Sequence, residues 1–153
     1  MFIEENLKKL DINLPKAPDP VGAYLPYKKV GNLVFISGQI SLRSNGELIK
    51  GKAGLDLTLD QARDAANVCA INILSQIKSA CGGDLNKVKS CVKITGFVNS
   101  NDSFIDQPKV INKASQLLTD VFGEKGKHSR AAVSVNSLPL GAAVEIEAIF
   151  EVS

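Results

Sequence analysis

Two kinds of ionisable side chain interrupt the apolar C-terminal stretch HSRAAVSVNSLPLGAAVEIEAIF, residues 128–150. Arg130 stands at the start of the run AAVSV, and its planar guanidinium matches the two oxygens of a carboxylate. Glu145 and Glu147 interrupt the run AAVEIEAIF, and either carboxylate could position a water or move protons. The residues alone leave two interpretations open: charges on an outer surface, or a site that binds a small acid.

Further positions could contribute to such a site. In VFISGQI, Gly38 stands inside a strand-like run beside Ser37, which is typical of a bulge or of close backbone approach. Tyr24, in the loop VGAY, is either a packed anchor or a hydroxyl that faces a ligand. His128 is the chain's one histidine and lies in a stretch rich in Gly and Lys, so we expect it to be exposed rather than catalytic.

The composition argues against several classes of function. A net charge of +2, scattered lysines and the absence of Trp argue against nucleic acid as a partner. A single histidine and unsuitable Asp/Glu spacing predict no metal site, and no nucleophile elbow, P-loop or dinucleotide fingerprint is present. No apolar run is long enough to predict a membrane partner. Three cysteines without CxxC spacing are typical of buried thiols, and they favour a cytoplasmic protein.

The hydrophobic pattern predicts the elements that must position these residues. The sequence TLDQ from Thr58 forms a capping box that starts a long helix, and Gly82-Gly83 ends that helix. Asn45-Gly46 is a hairpin signal, followed by the short strand ELIKG. The predicted helices cover residues 3–10, 58–82 and 108–122, and the predicted strands cover 33–40, 47–51, 88–99, 130–135 and 143–152.

The order of these elements predicts one α+β domain over residues 1–153. Because a helix joins strands 88–99 and 130–135, we expect them to pair in parallel, with two helices on one face of a mixed sheet. The last strand alternates, so that Val144, Ile146 and Phe150 face the helices while its glutamates point the other way. The second face is neither apolar nor fully polar, which favours packing against another copy of the chain.

The segments PDPVGAY, VFISGQI, FVNSNDSF and SRAAVSVNSLPLGAAVEIEAIFEV together resemble the Rid family of YjgF-like proteins, often labelled L-PSP endoribonucleases. The resemblance begins near residue 18. It implies a chorismate-mutase-like α+β subunit and a homotrimer with clefts between neighbouring subunits. It also implies that the last strand inserts between earlier strands. Residues 1–15 form an N-terminal extension relative to the compact members.

The resemblance also implies a function and a set of site residues. The family's best-studied activity is hydrolytic deamination of short 2-imino or enamine acids to 2-oxo acids and ammonia, without a cofactor. Its arginine, which clamps the substrate carboxylate, falls on Arg130, and its water-positioning glutamate falls on Glu145. Its substrate-binding positions fall on Tyr24, Ser37, Gly38 and on Ala132, which stands where many members have cysteine.

Two other functions remain open at this point. The same arginine could serve a trimer that binds small carboxylates without turning them over. The family label also suggests endoribonuclease activity, against which the charge and the lack of aromatic platforms weigh.

Overall fold

The computed structural model describes residues 2–153 as one mixed sheet covered on one face by helices. In chain order the elements are α1 (Phe2–Lys9), β1 (Tyr27–Val30), β2 (Leu33–Ile40), α2 (Leu59–Ala80), β3 (Val88–Asn99), α3 (Gln107–Phe122), β4 (Ser129–Val135) and β5 (Val144–Val152). Among these residues no helix is long and apolar enough to cross a membrane.

The sheet has the strand order β1-β2-β5-β3-β4. β3 and β4 pair in parallel, as the helical connection between them predicted. β5 lies between β2 and β3 and is antiparallel to both, so the insertion implied by the resemblance is confirmed. Because β5 occupies the centre, residues near its start are placed beside both β2 and β3.

One predicted strand was wrong and one strand was not predicted. The predicted strand over residues 47–51 is reduced to isolated bridges, such as the one between Leu42 and Leu48. β1 was not predicted at all. It is a four-residue edge strand with mostly exposed side chains, and pairing with β2, rather than an apolar pattern of its own, makes it a strand.

The core lies between the sheet and helices α2 and α3. The predicted capping box starts α2, with the Thr58 side chain and the Gln61 backbone N–H 3.2 Å apart. Phe150 of β5 packs edge-on against Phe122 at the end of α3, with ring centroids 5.9 Å apart. Gly96 of β3 lets α3 approach closely, because a Cβ there would lie 2.5 Å from the Ile111 side chain. The three cysteines, Cys69, Cys81 and Cys91, are unpaired and buried in this layer.

Helix α1, which lies in the segment predicted to be an N-terminal extension, packs on the helix layer. Ile3 and Leu7 of α1 are buried, and the Asn6 side chain donates to the Val121 carbonyl at the end of α3 over 2.8 Å. Residues 13–26, called here the proline segment, then run along α2 towards the sheet edge at β1. The extension therefore anchors a segment that reaches the candidate site.

Among residues 2–153 no helix lies on the opposite face of the sheet. Leu33, Phe35 and Val133 point outwards there, and each is exposed by about 40% of its surface (37%, 42% and 44%). Glu145, Glu147 and Ile149 share this face by the alternation of β5. The mixed character expected for this face is confirmed.

Candidate active site

One cavity, called here the Glu145 cavity, lies where β2, β5, α2 and the proline segment meet. Its volume is about 90 Å³, which is room for a few waters or a ligand of a few heavy atoms. Tyr24, Gly38 and Glu145, three of the residues singled out from the sequence, all line it. The other lining residues are Pro18, Asp19, Pro20, Val21, Pro26, Gln39, Ile40, Leu42, Asn72, Gln76 and Pro139.

Gly38 brings the backbone of β2 against the Glu145 side chain. The pairing of β2 with β5 shifts register between Ile36 and Gln39, which confirms the expected bulge. A Cβ on Gly38 would lie 2.7 Å from Oε2 of Glu145 and 2.9 Å from its Cδ. Glycine is therefore required for the carboxylate to occupy its observed place.

The Glu145 carboxyl is half-buried, and its pKa is raised from its ordinary value of 4.5. Burial is the main cause, because it disfavours the charged form, and the charge of Glu147 on the same strand adds to it. A carboxyl tuned in this direction exchanges protons more readily near neutral pH than an exposed one does. Glu147 is more exposed, so Glu145 is the better candidate for chemistry.

Two buried amide side chains that were not predicted from the sequence border the cavity. Asn72 of α2 donates to the Leu42 carbonyl over 2.9 Å, and Gln76 donates to the Pro18 carbonyl over 2.8 Å. Gln76 is 1% exposed, and among residues 2–153 its Oε1 has no hydrogen-bond partner. The sequence did contain a signal for these residues. Asn72 and Gln76 lie four residues apart on the apolar stripe of α2, and burying their amides costs free energy unless the amides form hydrogen bonds.

Arg130 lies elsewhere, at the outer strand β4. Its Nη1 donates to Ser115 Oγ over 3.1 Å, and its Nη2 donates to the Pro108 carbonyl over 3.2 Å. No salt bridge among residues 2–153 involves Arg130. A guanidinium has five N–H groups, so hydrogens on Nε, Nη1 and Nη2 remain for a ligand. The side chain is held in place yet keeps the donors that a bidentate carboxylate needs.

Arg130 and Glu145 do not meet within one chain. Arg130 pairs with Ile94 on the helix-facing side of β3, whereas Glu145 pairs with Phe97 on the opposite side. Two strand spacings and three residues along the strand separate their Cα atoms by about 14 Å. A ligand of a few atoms cannot touch both side chains, so the expected pair is brought together only if a second copy contributes one of them.

The remaining expected site residues fall into two groups. Ala132 lies on β4 near Arg130 and away from the Glu145 cavity. The Ser37 hydroxyl donates to the Leu25 carbonyl over 2.6 Å, so it holds the loop that carries Tyr24 and does not point freely into the cavity. Tyr24 is 47% exposed at the cavity, which favours the ligand-facing interpretation over a packed anchor.

The expectation that His128 is exposed was wrong. Its ring is partly buried, with Nδ1 2.6 Å from the Gly126 carbonyl and Nε2 2.8 Å from Ser115 Oγ. Local composition rich in Gly and Lys did not show that α3 folds back over the ring. His128 therefore joins the residues around Arg130.

Comparisons of sequence and of fold with known proteins identify a family. The family model described as "YjgF/chorismate_mutase-like, putative endoribonuclease" matches residues 4–151. The chain is 42% identical to Protein TCP17 of Trypanosoma cruzi, covering 99% of this chain and 94% of that protein. It is 31% identical to the 2-iminobutanoate/2-iminopropanoate deaminase of Mus musculus, covering 90% and 87% of the two chains.

Two solved structures show the same fold. The protein Atu1372 of Agrobacterium tumefaciens is 44% identical, with a TM-score of 0.93 and coverage of 99% of this chain and 93% of that one. E. coli TdcF with bound serine is 26% identical, with a TM-score of 0.63 and coverage of 90% and 94%. The match spans nearly the whole chain in both sequence and fold. The chain belongs to the YjgF/RutC family, the Rid family that its motifs resemble, and some members of this family are named as imine deaminases.

Proposed function

We propose that this protein hydrolyses short 2-imino acids, or their enamine tautomers, to 2-oxo acids and ammonia. The observation that carries the proposal is the Glu145 carboxyl. It is half-buried in a cavity of about 90 Å³, has a raised pKa, and packs against the bare backbone of Gly38. Such a cavity selects small ligands, and such a carboxyl can accept a proton from water and return it.

The proposed reaction adds one water and releases one ammonia. Arg130 binds the substrate carboxylate through two parallel N–H···O bonds and so fixes the position of C2. Glu145 takes a proton from the attacking water as the water oxygen bonds to C2, and it passes this proton to the imine nitrogen, so that a carbinolamine forms and Glu145 is ionised again. Glu145 then takes the hydroxyl proton of the carbinolamine and delivers it to the nitrogen. The C2–N bond breaks, ammonia leaves, and the hydroxyl oxygen becomes the C2 carbonyl. Tyr24 closes the cavity beside the substrate.

The proposed site is shared between copies, in a homotrimer. Two observations support this. Arg130 and Glu145 are too far apart in one chain to hold the same small molecule. Leu33 and Phe35 on β2, and Val133 on β4, expose apolar side chains on the sheet face that carries no helix among residues 2–153. In the trimer, Arg130 and Ala132 of one copy would approach Glu145 and Gly38 of the next.

The test measures the loss of 2-iminobutyrate or 2-iminopropionate generated in solution by an amino-acid oxidase. We expect the wild-type protein to accelerate this loss and Arg130→Ala to abolish the acceleration. Arg63→Ala is the matched control, because Arg63 is also partly buried and also donates to a backbone carbonyl, that of Lys109. Equal rates with and without the wild-type protein would refute the proposed reaction.

A second candidate is a trimer that binds small carboxylates without turnover. The presence of Ala132 where many relatives have cysteine favours it, and so does the serine bound to TdcF. Calorimetry with 2-oxobutyrate beside the deaminase assay separates the two functions: binding without rate enhancement indicates the second.

Endoribonuclease activity is the third candidate, supported by the family description alone. RNA cleavage that disappears in Arg130→Ala, but not in Arg63→Ala, would favour it.

A further inference from the structure

The surroundings of Arg130 contain a connected set of hydrogen bonds whose donors and acceptors can be assigned. The Gly126 carbonyl can only accept, so at 2.6 Å the Nδ1 of His128 carries its hydrogen. In the neutral ring Nε2 is then an acceptor, and at 2.8 Å it receives the hydroxyl hydrogen of Ser115. With its hydrogen directed at His128, Ser115 Oγ presents its lone pairs to Arg130 Nη1 at 3.1 Å.

The guanidinium is therefore held at two points of α3. One is Ser115, and the other is the Pro108 carbonyl, 3.2 Å from Nη2. These two bonds use one hydrogen of Nη1 and one of Nη2. The other three N–H groups remain for a bound carboxylate. Without Ser115, one of the two attachments is lost, and a long arginine side chain regains rotamer freedom before it binds a ligand.

The charges near His128 come from few groups. Burial lowers the pKa of His128, the bond to Gly126 opposes this, and the positive charge of Arg130 lowers it further. Lys127 on the same loop is paired with Glu124 at 2.7 Å, and Asp120 on α3 receives a bond from Gln116. On β3, Lys93 lies opposite Ser129 in the register. Of these charged residues, Arg130 is linked to the His128 ring by hydrogen bonds through Ser115.

We propose that Ser115 and His128 are positioning residues for Arg130, and that carboxylate binding at Arg130 and protonation of His128 favour each other. This rests on the proposed role of Arg130. A bound carboxylate cancels the charge that disfavours the imidazolium, so the ring takes up a proton more easily when the site is occupied. Binding equilibria are reciprocal, so protonated His128 must raise the affinity for the carboxylate by the same factor. The contact with Ser115 survives protonation, because Nε2 then donates to the same oxygen.

The first experiment follows the imidazole resonance by NMR, which is unambiguous because the chain has one histidine. The probe is 2-oxobutyrate, a stable carboxylate that resembles the expected product. We expect the pKa of His128 to rise on saturation with 2-oxobutyrate, and also to rise in Arg130→Met without any ligand. An unchanged pKa in the presence of bound 2-oxobutyrate would overturn this inference and leave the proposed function standing. No binding of 2-oxobutyrate by the wild-type protein at any pH would also overturn this inference, whereas the proposed reaction is refuted by the deaminase assay.

The second experiment measures 2-oxobutyrate affinity by calorimetry in variants of the two positioning residues. Ser115→Ala is expected to weaken binding about five- to tenfold at pH 8, because the Arg130 side chain, freed from one attachment, must be immobilised when it binds the carboxylate. Ser115→Thr keeps a hydroxyl and should stay within about threefold of the wild type. His128→Gln keeps an acceptor for Ser115 but cannot titrate, so it should bind normally at pH 8 and show a smaller gain in affinity on acidification. Equal affinities in Ser115→Ala and the wild type, or an identical pH profile in His128→Gln, would contradict the assignment.

Discussion

Replacing Gly38 by alanine tests how tightly the Glu145 carboxylate is placed. The new Cβ would lie 2.7 Å from Oε2, whereas ordinary contacts begin at 3.4 Å, so the carboxylate must retreat by roughly 0.7 Å or turn to another rotamer. The backbone at Gly38 is outside the left-handed region, so alanine adopts it without strain. The substitution therefore displaces one functional group and leaves the strand intact.

The size of the effect follows from that displacement. Misplacing a reacting group by about 1 Å costs about 100-fold in rate, which corresponds to about 2.7 kcal/mol of transition-state stabilisation. We expect kcat/KM for 2-iminobutyrate to fall by about that factor in Gly38→Ala. The thermal midpoint should change by no more than about 4 °C, the shift that about 1 kcal/mol produces in a chain of this size. The assay is the coupled deaminase measurement beside thermal unfolding followed by circular dichroism.

Gly46→Ala provides the opposite control, a variant expected to lower stability without changing activity. Gly46 has φ of 90° in a surface turn, and nothing lies within 4 Å of the place that a Cβ would take there. Alanine at this position is strained, so stability should fall by about 1 kcal/mol while activity per folded molecule is unchanged. If Gly38→Ala kept its activity within about threefold of the wild type, Glu145 would not be the group that handles the water, and the reasoning from its geometry would fail.

Two further predictions concern the Glu145 cavity. Glu145→Gln should raise the free energy of unfolding at pH 7 by about 1 kcal/mol, because it removes a buried charge and also the repulsion from Glu147, which lies about 7 Å away along the strand. Because the pKa of Glu145 is raised in the folded state, the wild type loses stability as pH rises from about 4.5 through that pKa. In urea titrations below pH 4.5 the variant should therefore be no more stable than the wild type. A stability difference that persisted there would point to another cause. Gln76→Leu removes the bond to the Pro18 carbonyl and should speed tryptic cleavage after Lys16 about fivefold, the factor for about 1 kcal/mol of local stability. An unchanged cleavage rate would show that Gln76 does not hold the proline segment.

Much of the fold was predictable because its signals are local. The capping box at Thr58 and the glycines after α2 mark the ends of that helix by backbone chemistry alone. The alternation of Val144, Ile146 and Phe150 shows which face of β5 is buried. The central position of β5, in contrast, came from the family resemblance, since a short connection after β4 would otherwise favour a hairpin.

The parts that were missed depend on their pairing partners rather than on an apolar pattern of their own. β1 has mostly exposed side chains and becomes a strand only by pairing with β2. His128 is partly buried, and its Nε2 bonds Ser115, which lies on a different element. Arg130 and Glu145 remain candidates for the site. Their positions in the sequence did not show that strand order and register place them on opposite faces of the sheet.

Mixing two inactive variants tests most directly whether Arg130 and Glu145 of different copies form one site. Arg130→Met and Glu145→Gln chains, carrying different affinity tags, are co-expressed, and oligomers containing both tags are purified. In a cyclic trimer that contains both kinds of chain, about one interface in three combines an intact Arg130 with an intact Glu145, so deaminase activity should return to about a third of the wild-type value. Mixed oligomers no more active than either parent would contradict the shared site and, with it, the proposed mechanism.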